Sequence, residues 1–153
     1  MKLEDVRPGD CYAHAQRLLS EVASVRDEMG RTEDLRPIPH VTDARPRDVY
    51  FEALATWSKA DRLASEIGAQ PVRFAQTATT LRDLRPGHVL QVIDAALLQI
   101  DGVKERLAIS ETVRMPAVEE SRQPSDVLAT LIRVNRELSR SLARPFTPSD
   151  VYR

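Results

Sequence analysis

The sequence predicts an all-α fold, four long amphipathic helices packed as a compact bundle, and three observations carry that prediction. A five-residue signature, Pro46-Arg47-Asp48-Val49-Tyr50, returns at Pro8–Tyr12, Pro86–Leu90, Pro124–Leu128 and Pro148–Tyr152. After each of the first four copies, apolar residues recur at three- and four-residue steps, the period of a helix with one buried face. Glycines then stand at Gly30 and Gly68, where a left-handed residue would end the first two helices.

The signature reads as a helix start. Proline presets φ and lacks the N–H that a first turn leaves unpaired, and an Asp two residues later puts negative charge at the positive end of the helix dipole. Successive prolines are 38, 40, 38 and 24 residues apart. A fixed period of this kind is the mark of duplicated supersecondary units. The units run over about 5–43, 44–83, 84–121 and 122–147, and residues 148–153 are either the opening of a fifth copy or a C-terminal cap on the core.

In the first unit Tyr12, Ala15, Leu19, Val22, Val25 and Met29 form the stripe of a helix over about residues 9–29. The second unit has Tyr50, Ala53, Trp57, Ala60, Ala64 and Ile67. Its inward alanines predict close helix approach, with the indole of Trp57 filling the space they leave. The third, with Leu90, Ile93, Leu97, Ile100, Val103 and Leu107, is the most apolar and is expected to be the most buried; Gly102 inside it should cost about 1 kcal/mol relative to Ala. The fourth carries Leu128, Leu131, Ile132, Val134, Leu138 and Leu142. Asn135 falls on that stripe, so it must either fix register or point to a wet part of the bundle.

The connections are long and proline-containing, with Pro37 and Pro39 in the first and Pro116 in the third, and their apolar residues imply that they are packed down. A helix of about 21 residues rises ~30 Å, which 15 extended residues can retrace. Two arrangements follow: helices all pointing one way with extended returns, or antiparallel helices with loops crossing the ends.

The chain of 153 residues is one domain. Its 22 Lys and Arg balance 23 Asp and Glu, so no global field draws it to nucleic acid or to an anionic membrane, and no stretch reaches the ~20 apolar residues of a membrane span. With one cysteine there is no disulfide framework, and the expected location is cytoplasmic by default, for a whole chain or for a fragment cut from a longer one.

Chemistry-bearing patterns are sparse. Cys11 and His14 lie one helical turn apart, but Cys11 stands where the other copies have Val, which reads as a small buried residue. The histidines His14, His40 and His88 fall in different segments, and no Glu-x-x-His pair, phosphate-binding glycine loop or nucleophile elbow occurs. The expectation is therefore no catalytic residue, no cofactor and no metal. Arg36, Arg45, Arg85, Arg122 and Arg144 stand near the signature prolines, and in a regular array they would ring one end of the molecule and bind an acidic partner or phosphate. The expected function is a non-catalytic module for protein–protein interaction or self-association, the latter through a tyrosine end formed by Tyr12, Tyr50 and Tyr152. The alternative is a small-ligand or sensor bundle with a pocket between helices near Trp57 and Asn135.

Overall fold

The computed structural model describes residues 2–74 and 80–142, which form an all-α bundle. Its helices α1 (Pro8–Glu28), α2 (Pro46–Glu66), α3 (Pro86–Arg106) and α4 (Pro124–Leu142) each begin on a signature proline. The residue before the proline is extended in α1 to α3, as the ring of a following proline demands. The third helical residue then closes the start. Asp10, Asp48 and Asp126 accept the main-chain N–H of Arg7, Arg45 and Gln123 at 2.9, 2.9 and 2.8 Å, and His88 Nδ1 does the same for Arg85 at 3.0 Å. An imidazole nitrogen thus replaces a carboxylate oxygen in α3.

The stops are equally regular. Gly30 and Gly68 have φ of 72° and 74°, and the next residues, Arg31 and Ala69, donate back to the carbonyls of Arg26 and Ala64 at 3.0 and 2.9 Å. The end of α3 has the same geometry with Ala108 at φ 58°, and Ile109 donates to Lys104 at 2.9 Å. An alanine there carries the Cβ strain that glycine avoids.

All four helices point the same way, since Pro8, Pro46, Pro86 and Pro124 surround one hollow at one end of the bundle. Around the axis the order is α1, α3, α2, α4, so α1 lies across the diagonal from α2, and α3 from α4. Side chains 3, 7, 10, 14 and 17 places after each proline fill the core in layers: Cys11, Val49, Val89 and Val127 at the top, then Ala15, Ala53, Ile93 and Leu131, then Leu18, Thr56, Ala96 and Val134. Steps of four and three are the seam of a left-handed parallel coiled coil. The second layer sets two alanines across one diagonal against Ile and Leu across the other, small facing small and large facing large. Helix α3 buries most of its length, as its composition predicts.

The stripe differs from the sequence expectation by one place. Leu18 is fully buried while Leu19 is only partly so, and Trp57 lies on a flank, against a tilted Phe74 with ring centroids 5.5 Å apart, leaving the space between the alanines of α2 to side chains from α3 and α4. Each return explains its flank. Residues following α1 lie over the α1/α4 seam, where Arg136 donates to the carbonyls of Arg36 and Pro37 at 3.0 and 2.9 Å. Those following α2 lie over α2/α3, with Phe74 on Trp57 and Arg106 donating to the Ile67 carbonyl at 3.2 Å. Those following α3 lie over α1/α3, where Lys104 holds the Glu111 carbonyl at 2.6 Å.

Two glycines mark where these segments cross a helix start. A Cβ on Gly9 would lie 2.4 Å from the Glu119 carbonyl oxygen, and one on Gly87 would lie 2.3 Å from that of Leu3. At the same place α4 has Ser125, whose hydroxyl instead accepts the Ala44 N–H at 3.0 Å. Among the described residues no helix is long and apolar enough to cross a membrane. The fifth signature copy lies outside the described residues.

Candidate functional site

The four proline starts converge on a small open hollow of about 30 Å³ on the bundle axis, lined by Pro8, Pro46, Pro86 and Pro124 above Cys11, Val49, Val89 and Val127. Its lining is wholly apolar because the first helical residue is proline and the fourth is Val or Cys in every helix. An anion on the axis would meet four proline rings that carry no N–H. The apolar tip of a side chain would instead exchange water for carbon there.

Charge is displaced to the rim. Arg45 and Arg85, both in the expected arginine set, directly precede α2 and α3 and are exposed, and neither forms an ion pair among the described residues. Arg7 holds the matching place before α1 with its side chain 73% exposed, 4.0 Å from Glu120, and Arg47 is exposed one residue beyond Pro46. Sequence reasoning passed over Arg7, although its position directly before a signature proline is the same as that of Arg45 and Arg85. Arg122 lies near this end but is turned inward, its guanidinium 4.3 Å from the Tyr12 ring centroid and 3.2 Å from Glu119.

Arg36 is elsewhere. It chelates Asp34 beside the last turns of α4, with Nη2 to Oδ2 at 2.6 Å, and Arg140 stands 3.9 Å from the same carboxylate. The Arg36 guanidinium holds the Asp34 carboxyl well below the usual carboxylate range. Arg144 lies outside the described residues. The tyrosine end does not form either. Tyr50 is buried at 8% exposure and Tyr12 lies under Arg122, because the fifth signature position turns into a seam that a neighbouring segment covers; Tyr152 lies outside the described residues.

Trp57 and Asn135 occupy different seams. Trp57 meets Phe74, whereas Asn135 faces α2 across the α2/α4 seam, its amide donating to the Glu52 carboxylate and, at 3.3 Å, to the Glu52 carbonyl. Each leaves one buried atom, Trp57 Nε1 and Asn135 Oδ1, without a hydrogen-bond partner among the described residues. The other seams are locked by buried or part-buried polar pairs. Lys104 meets Glu21 at 3.2 Å, Arg26 meets Glu137 at 2.5 Å, and Gln99 donates to Asp61 at 3.1 Å. The first two join a residue 18 places after its proline to one 13 places after, the flank-to-flank pairing expected of parallel helices in register.

Cys11 does not face His14. Its thiol donates to the Pro86 carbonyl at 3.2 Å, and burial, with Asp10 and Asp94 adding to it, pushes its pKa up to about 12. His14 is instead 2.6 Å from Asp94 across the α1/α3 seam. Among the described residues no group of three or more His, Cys, Asp or Glu is placed to hold a metal ion. No protein-family model matches this chain, and no curated protein or solved structure matches it.

Proposed function

We propose that this chain is a non-catalytic interaction module whose contact face is the end where the helices start. The observation that carries the reading is the apolar axial hollow, built by equivalent residues of all four helices and rimmed by Arg7, Arg45, Arg47 and Arg85. Such a face suits a partner segment, from another protein or from a second copy, that offers one apolar side chain flanked by acidic residues. The arginines steer and select, and the hollow supplies desolvation.

Reversing the rim tests this. Arg45→Glu with Arg85→Glu should leave the helical circular dichroism signal and the melting temperature essentially unchanged. It should also abolish any partner captured by the wild-type protein from its native lysate, or any dimer seen by mass in solution. A partner or dimer retained at wild-type level by the doubly reversed chain would overturn the reading.

The second reading, a small-ligand bundle, draws support from Trp57 Nε1 and Asn135 Oδ1, which have no hydrogen-bond partner among the described residues. It is weakened because a ligand touching both would have to span two seams.

A further inference from the structure

The two halves of the chain are alike, and each packs on the other instead of on itself. Leu3, Asp5, Arg7, Pro8 and Gly9 recur as Leu81, Asp83, Arg85, Pro86 and Gly87, and Pro46, Asp48 and Val49 recur as Pro124, Asp126 and Val127, always 78 residues on. Both halves open with a short 3-10 turn, Leu3–Asp5 and Leu81–Asp83, and then supply two long helices. Yet α1 lies against α3 and α4, α2 lies against the same two, and neither α1 with α2 nor α3 with α4 is a main packing pair.

The polar contacts obey the same rule. Arg26 with Glu137, Lys104 with Glu21 and Gln99 with Asp61 each run from one half to the other. So do the contacts at the helix starts, where the Leu3 carbonyl lies over Gly87, the Glu119 carbonyl over Gly9, and the Ala44 N–H donates to Ser125. The core is therefore an interface between two halves, of the kind that obligate two-chain complexes have. Nothing in such an interface specifies which copy supplies the second half. One covalent link, residues 67–85, ties the halves together, and a tether of this kind competes with other copies as an effective concentration in the range of about 1 mM.

We propose that two copies of this chain exchange halves when they fold together, each bundle taking α1 and α2 from one copy and α3 and α4 from the other. Every exchanged bundle then has a composite axial hollow, with Pro8 and Pro46 from one copy and Pro86 and Pro124 from the second, and the dimer displays two such ends. The inference rests on the packing between halves and stands whether or not that end binds a partner.

Two full-length variants test it, each also carrying Cys11→Val so that a single thiol remains. One is Gln16→Cys on α1 and the other Thr130→Cys on α4, positions whose native side chains meet at 3.0 Å across the α1/α4 seam. The two are mixed in urea, refolded together at about 1 mM and treated with a short bifunctional thiol reagent. An adduct between the two chains is expected, its yield falling roughly tenfold on tenfold dilution, whereas a mixture with Gln16→Cys in both chains should give only background. Melting curves establish that each variant folds. If one does not, Ser24→Cys and Glu111→Cys take their place, at exposed positions whose native side chains meet at 3.2 Å between the same halves. Absence of an adduct above background at every concentration overturns the proposal, and so does an equal yield from the two mixtures.

Discussion

Replacing Lys104 by Met should be far more damaging than removing the whole ion pair to which it belongs. Lys104 and Glu21 meet at 3.2 Å with side chains only 9% and 2% exposed, and Lys104 also holds the Glu111 carbonyl at 2.6 Å. The methionine keeps the length of the stem but leaves the Glu21 carboxylate buried without a countercharge. Losing one partner of a buried pair costs about 3–5 kcal/mol, whereas exchanging both partners for apolar groups of similar volume is often neutral or better. The orphaned Glu111 carbonyl adds about 1 kcal/mol to both variants. Urea unfolding should therefore give a loss of roughly 4–6 kcal/mol for Lys104→Met and only about 1–2 kcal/mol for Glu21→Leu with Lys104→Met. A double variant as unstable as the single one would refute the reasoning, because it would mean that the pair contributes net attraction beyond its own desolvation.

The remaining predictions concern the helix ends, one carboxylate and the thiol. Asp48→Ala and Asp126→Ala, each removing an acceptor at the third helical position, should lower stability by ~0.5–2 kcal/mol in thermal melts. Ala108→Gly relieves a left-handed alanine, and Gly102→Ala finds its nearest neighbours 3.9 and 4.0 Å away, so both should raise the melting temperature. Each gain should be about 1 kcal/mol. Asp34 is depressed by Arg36, so its contribution is complete above the ordinary carboxylate range of about 4 and is lost as pH falls below it. The melting-temperature gap between wild type and Asp34→Asn should accordingly close on acidification. Cys11, with a pKa near 12, should resist iodoacetamide at pH 8 in the folded protein and react once it is unfolded in urea.

The helix starts and the stops of α1 and α2 were legible because they depend on local chemistry: proline before the first turn, an acceptor at its third residue, glycine after the last. Direction was not, since a return long enough to retrace a helix is also long enough to cross an end. The one-place error in the stripe has a specific cause. Returns cover one flank of each helix, so Leu18 and Leu19, or Ala96 and Leu97, are both apolar, and a period count cannot tell the axial residue from the one beneath the return. For the same reason Asn135 read as a core residue when it is a flank residue. The hollow was invisible as a site because its residues are the helix-start signature itself. Only the parallel arrangement turns four separate caps into one face. Arg45 and Arg85 lie at this end because they adjoin those caps, and Arg36 lies elsewhere because it adjoins Pro37, which starts no helix.

That α1 and α2 sit across a diagonal has a consequence for how the chain comes into being. Neither has the other as a main packing partner; α1 must wait for α3 and α4, and α2 likewise. During synthesis the first half of the polypeptide therefore emerges with two amphipathic stripes and nothing complementary to cover them until translation has run past residue 106. Assembly is governed by encounters between distant parts of the chain, which slows it relative to an up-and-down bundle of equal size. The nascent first half is the form most exposed to chaperones, proteases and its own copies.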